Sequence, residues 1–210
     1  KREYLKISGA YGAERQRELQ EYGARMLKRA LLGLCGKEAT KSLDEITQAV
    51  WEKVFAVNLE APFFLSRYVA EIMKSNRPDE YGLCGSIINI SSISAGRGGN
   101  SHPYCAAKAG LESLTKTMAL EFSEKGIRIN AIAPGIIDTD LSRESLQDVS
   151  SEKIAYLRNS IPLKRKGMPH EVASAALFLA SSQSSYMTGA VILVTGGWDI
   201  PIAGDEVEQR

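Results

Sequence analysis

The sequence has no uninterrupted apolar run of the roughly eighteen residues that a membrane-spanning helix needs. It has few cysteines. Cys35, Cys84 and Cys105 are odd in number and far apart. That pattern fits neither a disulfide framework nor a zinc site, so a reducing compartment, cytoplasm or organelle matrix, is expected. Charge of either sign is not in excess. The 26 basic and 25 acidic residues leave a net +1, which removes the electrostatic case for a nucleic acid or an anionic membrane as partner. The first residues, Lys1-Arg2-Glu3-Tyr4, lack the apolar core of a signal peptide. Internal repeats, low-complexity tracts and a second domain are also missing. What is present is a chain of 210 residues, long enough to bury a substantial core as one α/β domain.

The chemistry concentrates in residues 86–139. At its centre stands Tyr104-Cys105-Ala106-Ala107-Lys108. A tyrosine and a lysine four apart share one helix face, one turn apart. A free phenol holds its proton up to pH ~10, and an ammonium one turn away favours the phenolate. The pair can exchange a proton with an alcohol or carbonyl. The plain structural alternative is a half-buried tyrosine beside a solvated lysine. Upstream, Ser86-Ile87-Ile88-Asn89-Ile90-Ser91-Ser92 reads as a strand buried on both faces of a parallel sheet and ending in two hydroxyls. Ligands of open α/β sheets bind at such carboxyl ends. Downstream, residues 126–133 read as a further strand that ends at Pro134-Gly135, with Thr139 shortly after.

Asn89-Ile90-Ser91-Ser92, Tyr104-x-x-x-Lys108, Pro134-Gly135-Ile136-Ile137-Asp138-Thr139 and Val57-Asn58-Leu59 together resemble the short-chain dehydrogenase/reductase family, in its 3-ketoacyl-carrier-protein-reductase-like branch. Each motif is weak singly; four in the right order are specific. The resemblance implies a doubly wound, Rossmann-like parallel sheet in a three-layer α/β/α single domain. It implies NADP or NAD as cofactor and a ketone or secondary alcohol as small-molecule substrate. By the same resemblance Tyr104 gives the proton, and Lys108 lowers the phenol pKa and binds the nicotinamide ribose. Ser92, the second serine of its pair, holds the substrate oxygen, and Asn58 supports a water relay. Pro134, Gly135, Ile137 and Thr139 border the nicotinamide, with Thr139 and the backbone near Ile137 orienting its carboxamide.

The first part of the chain departs from the family. A short strand at 4–7 and a turn carrying Gly9 and Gly12 match the start of a cofactor-binding glycine loop, but the later glycine is absent. An ordinary turn before a helix explains the same residues. Strands are expected at 24–27 and 30–36, with too few residues between them for a βαβ crossover. Either residues of the full protein are missing here or half of the cofactor site is lost. The first is favoured, because the motifs of the second half show no decay. Lys28-Arg29, just after the second strand, leans towards the 2′-phosphate of NADP.

Residues 1–36 are thus read as a residual nucleotide-binding part, 42–139 as the catalytic core, 140–168 as a substrate lid, and 169–200 as a closing helix and strand. Ser42-Leu43-Asp44-Glu45 has capping-box spacing ahead of a helix with a stripe of Ile46, Val50, Val54 and Val57. Asn58 ends that stripe and Pro62 marks a break or kink. The plain structural alternative for Asn58 is a hydrogen bond to local backbone. Helices at 44–75 and 104–123 carry Trp51, Phe55, Phe63, Phe64, Leu111, Leu114 and Met118 over more than one stripe. A wide apolar arc needs cover on two sides, which predicts a homo-oligomer, tetramer or dimer, extended by strand 190–194. Leu111, Leu114, Met118 and Leu120 are each expected to face the core or a neighbouring subunit. Two other classes compete with the enzyme. One is a non-catalytic scaffold descended from a reductase, favoured by the short nucleotide half. The other is a serine hydrolase using Ser92 and His102, which lacks a Gly-x-Ser-x-Gly elbow and an acid for the histidine.

Overall fold

A computed structural model describes residues 43–99, 101–139 and 159–200, with Ser150, Glu152 and Ala155 as single positions. The expected strands at 4–7, 24–27 and 30–36, Gly9, Gly12, Lys28-Arg29 and most of the expected lid lie outside the described residues.

The described sheet has three parallel strands in the order β1 (Gly85–Ile90), β2 (Ile127–Pro134), β3 (Val191–Val194). Gly85 pairs with Ile127 and Ile90 with Ile132; Ala131 pairs with Val191. Parallel strands need crossovers, and each is a helix. Four helices matter here: α1 (Gln48–Phe55), α2 (Ala61–Met73), α4 (His102–Ser123) and α5 (Pro169–Ala180), with a single turn α3 (Ser94–Arg97) between β1 and α4. The two-residue period of the strands sorts the helices into layers. Ile87, Ile127 and Ile129 meet Ala70, Met118 and Phe122, and Asn89 donates to Thr115 at 2.9 Å, so α2 and α4 cover one face. On the other face Ser86 donates to the Leu179 carbonyl of α5 at 2.9 Å. This is the expected α/β/α arrangement.

Burial differs from the expectation at β1. The continuously buried run is β2, whereas β1 is half-buried and Ile90 is 47% exposed. Among the described residues β1 has a strand partner on one side only, so its outer edge and α5-side residues are less covered.

The first helix starts later than the capping box suggests. Leu43–Glu45 form a separate 3-10 turn, and Thr47 caps α1 by accepting from the Val50 N–H at 3.3 Å. Pro62 does not break the chain path. Between α1 and α2, residues Ala56–Glu60 form a π-helical turn, closed by the Ala61 N–H on the Ala56 carbonyl. Pro62 then stands in the first turn of α2. A proline offers no N–H to the carbonyl four residues back, here Asn58. The wider turn absorbs that mismatch and the helical path continues.

On α4 the residues Ala107, Lys108, Leu111, Thr115, Met118, Ala119 and Phe122 are buried. Of the two places open to them, core or neighbouring subunit, Leu111 and Met118 therefore take the chain's own core. Leu120, offered to core or partner, is 79% exposed and so is not core. The end of the expected lid is also fastened down rather than loose. Ile161 is buried, and Gly167 bridges to Ile137 through its N–H on the Ile136 carbonyl at 2.9 Å and its carbonyl on the Asp138 N–H at 2.8 Å. No helix among the described residues is long and apolar enough to cross a membrane.

Candidate active site

Two strand ends and the first turns of α4 build the site. Lys108 is only 9% exposed. Its Nζ donates to the carbonyl of Ile90, the last residue of β1, at 2.8 Å, and lies 5.6 Å from the centre of the Tyr104 ring. The spacing of one helical turn makes this possible: Tyr104 and Lys108 share the side of α4 that overhangs the β1 terminus. An ammonium this well buried needs acceptors, and a strand-end carbonyl supplies one. The solvated-lysine alternative is thereby excluded.

The two serines after Ile90 have different surroundings. Ser91 is buried; its N–H donates to the Ile132 carbonyl at 2.7 Å and its Oγ to Glu112 Oε1 at 2.7 Å. Ser92 is half-buried and its Oγ accepts from the Ser94 N–H at 3.2 Å. Ser91 thus serves the framework, and Ser92 is the hydroxyl left beside open space. His102 is exposed at the first position of α4, a poor base for a hydrolase.

Asn58 is buried in the π-helical turn, where its Nδ2 donates to the Val54 carbonyl at 3.0 Å. The local backbone bond expected of it is real. The turn also packs on α4: a Cβ on Gly110 would come within 3.2 Å of the Leu59 side chain. Close approach at this glycine brings the asparagine's turn against the helix that carries Tyr104 and Lys108.

The residues expected after β2 sit at the neighbouring strand end. The Pro134 carbonyl accepts from the Ile93 N–H at 3.0 Å, which ties the serine loop to β2. Gly135 donates to the Val194 carbonyl at 2.9 Å, and a Cβ there would stand 3.0 Å from the Thr195 Cα. Its glycine is explained by that backbone approach. Ile137 bridges to Gly167, and the Thr139 N–H donates to the Ile137 carbonyl at 3.0 Å. Gly9 and Gly12 lie outside the described residues.

Sequence reasoning missed the space beside Ser92. A cleft of about 630 Å³ is lined by Ser92, Arg97, Glu112, Ser160, Trp198 and Asp199 among others. Of the four expected catalytic residues only Ser92 lines it. The Arg97 guanidinium lies 4.3 Å from the Trp198 ring centre and joins the serine loop to the turn after β3. The spacing of Glu112, one turn beyond Lys108, was a usable signal. Trp198 had none, since its position depends on the turn at Gly196 and Gly197.

The family model described as enoyl-(acyl carrier protein) reductase matches residues 30–199. The chain is 44% identical over 149 residues to the 3-oxoacyl-(acyl-carrier-protein) reductase of Rickettsia felis, an alignment that covers 70% of this chain and 57% of that protein. The chain thus spans little more than half the length of that relative. Among solved structures it is similar to a proposed 2-deoxy-d-gluconate 3-dehydrogenase from Agrobacterium tumefaciens with bound NADP, at 35% identity and TM-score 0.68, covering 76% of this chain and 62% of that one. It is also similar to the ligand-free aldohexose dehydrogenase of Thermoplasma acidophilum, at 32% identity and TM-score 0.70, covering 79% and 66%. With Ser92, Tyr104 and Lys108 gathered at the end of a parallel strand and these matches alongside, the chain belongs to the short-chain dehydrogenase/reductase family.

Proposed function

We propose that the protein is an NAD(P)(H)-dependent oxidoreductase that interconverts a ketone and a secondary alcohol. The observation that carries this is the buried Lys108 ammonium, held on the Ile90 carbonyl beside the Tyr104 ring. The donors at the β1 and β2 ends are a hydroxyl, a phenol and an ammonium, a set that suits a ribose and a carboxamide. Lys108 would hold the nicotinamide ribose, and Thr139 with the backbone near Ile137 would hold the carboxamide. When bound, the nicotinamide supplies or accepts the hydride.

This chain's residues manage the proton. During reduction the carbonyl oxygen gains negative charge as its carbon is reduced. Tyr104 donates its phenolic proton to that oxygen, and Ser92 donates a hydrogen bond to it. The Lys108 ammonium stabilises the phenolate left behind. Asn58, in its π-helical turn against α4, supports the water that returns the proton to tyrosine. In oxidation the same groups run in reverse. NADP is the favoured cofactor, supported by Lys28-Arg29 and by the NADP in the Agrobacterium structure.

A screen of ketones and alcohols with NADPH and NADH, run beside Tyr104→Phe, tests this reading. Turnover in the phenylalanine variant is expected to fall by about 10³-fold, with circular dichroism unchanged. Near wild-type turnover would remove Tyr104 from its role.

The same reading includes a homo-oligomer, most simply a tetramer, in a reducing cytoplasm that suits the free thiols Cys84 and Cys105. Trp51, Phe64 and Leu65 on α1 and α2 and Leu120 on α4 are exposed, and large apolar side chains left in water on these helices support a covering partner. Sedimentation equilibrium at micromolar concentration checks it; a monomer mass would refute it.

A further inference from the structure

Side chains alternate along β1, and the odd-numbered ones face α4. Ile87 packs against the core cluster that holds Met118, and Asn89 donates to Thr115 at 2.9 Å. Ser91, one residue past the strand, donates to Glu112 Oε1 at 2.7 Å. Each step of two along the strand is answered by a step of three back along the helix, one face against one face. The Ser91–Glu112 bond is the last rung of this ladder, and it stands beside the reacting groups. Before Ser91 comes Ile90, whose carbonyl accepts from the Lys108 ammonium at 2.8 Å; after it comes Ser92. Glu112 is half-buried one turn beyond Lys108, and the Ser91 hydroxyl lies 3.4 Å from the Lys108 carbonyl.

Lys108 cannot set this spacing by itself. Its ammonium rides on a long flexible stem, which would follow the Ile90 carbonyl through small slides of helix over strand. Ser91 has a short side chain and is buried, and its N–H is already held by the Ile132 carbonyl of β2 at 2.7 Å. A carboxylate bond to a hydroxyl anchored in this way is short and directional. The rung also lies outside the apolar cluster of Ala70, Met118 and Phe122, so its loss opens no cavity there.

Resting on the reading above, in which Tyr104, Lys108 and Ser92 act on the reacting oxygen, we propose that Glu112 is a positioning residue for that reaction. Through Ser91 it fixes the end of β1 against α4. That holds the Ile90 carbonyl on Lys108, the ammonium beside Tyr104, and Ser92 in its place. Glu112 acts through its acceptor oxygen and not through its charge.

The test uses Ser91→Ala, which removes the donor, Glu112→Ala, which removes the acceptor, and Glu112→Gln, which keeps an acceptor without the charge. Lys108 and the other charged groups of the cleft, Arg97 and Asp199, stay in place in all of them. The first readout needs neither cofactor nor substrate: lysines are acetylated chemically and the rate at Lys108 is followed by peptide mass spectrometry. Lys108 is 9% exposed. It is expected to react several-fold faster in both alanine variants than in the wild type and Glu112→Gln, with the exposed Lys116 unchanged. The second readout is oxidation of D-glucose, cyclohexanol and a 3-hydroxybutyryl thioester with NADP. In the alanine variants kcat is expected to fall by about tenfold to a hundredfold without a matching rise in KM, and Glu112→Gln is expected to recover most of it. The rise of kcat with pH, set by the Tyr104 phenolate, is expected to move up in the alanine variants, towards the ~10 of a free phenol. Loss of a negative charge alone would move it down, in Glu112→Gln as well. Unchanged labelling of Lys108, kcat preserved in Glu112→Ala, or a downward shift in Glu112→Gln would each overturn the proposal. Alanine suits a helix, so Glu112→Ala decides the matter even if Ser91→Ala fails to fold. A wild type that oxidises no probe, with the labelling contrast intact, would instead overturn the oxidoreductase reading and the catalytic sense of the rung with it.

Discussion

Two buried cations lie on opposite faces of the same sheet, and they are buried for different ends. Arg128, on β2, is 5% exposed and faces the end of α5. Its Nη2 donates to the carbonyls of Leu179 and Ser181 at 2.9 and 3.2 Å, and its Nη1 to Ser184 Oγ and the Met187 carbonyl at 3.1 and 3.4 Å. The last carbonyls of a helix lack donors and carry the negative end of its dipole, so a guanidinium fork closes them. Burial lowers the Arg128 pKa, and the charge of Asp79 opposes the shift. Lys108 holds a compact ammonium on a strand-end carbonyl and stands beside Tyr104. A planar fork saturates a set of carbonyls; a point charge steadies a phenolate. Burial of a cation therefore does not mark a functional site. The groups it is aimed at do.

Exchanging each cation for methionine separates the two roles. The largest effect is expected at Lys108→Met: turnover falls by about 10²- to 10⁴-fold. Its urea-denaturation free energy stays within about 1 kcal/mol of wild type, since replacing a buried ion by an apolar chain is near neutral when partners adapt. Arg128→Met is expected to do the reverse. It removes the four bonds that the buried guanidinium makes at the end of α5 and in the segment after it and lowers stability by about 3 kcal/mol, while turnover per folded molecule is kept. Equal stability losses in the two variants would erase the distinction.

A third cation sharpens the comparison from the surface. Arg165 makes a two-bond fork to Glu171, 2.9 and 2.7 Å, and the Met168 N–H adds a bond at 2.7 Å. The Arg165 bond first, then the Met168 bond, lower the Glu171 pKa from 4.5 to about 2. A carboxyl whose pKa is depressed on folding contributes stability that is complete above its unfolded value and is lost as pH falls through its folded one. The melting-temperature difference between wild type and Glu171→Gln is therefore expected to be small, constant above pH 4.5, and to vanish towards pH 2. Thermal melts across that range check it. A difference that grew on acidification would place the role of Glu171 elsewhere.

Much of the site was legible because its spacing is local. Tyr104 and Lys108 share a face by helix period alone, and Ser92 and Pro134 end apolar runs that read as strands. Asn58 was legible as a residue at an irregularity, though the irregularity proved to be a π-helical turn and not a break. Proline chemistry says that a hydrogen bond is lost; it does not say whether the chain bends or widens its turn. The apolar residues of α4 show a similar boundary. Their number called for burial, but the sequence carries no record of which neighbour covers which side. The packed sheet takes Leu111 and Met118, and leaves Leu120 outside.

By itself, then, the sequence determined the layered α/β class, the strand ends that hold hydroxyls, and the pairing of a phenol with an ammonium. All of these follow from periodicities of two and 3.6 residues and from side-chain chemistry. The tertiary structure alone decided that Ser91 is clamped and Ser92 open, that Glu112 lines a cleft with Trp198 and Asp199, and that Arg128 closes a helix end. Those groupings join residues 21 to 87 positions apart. Only the crossing of α4 over β1, and the return of the chain to β3, bring them together.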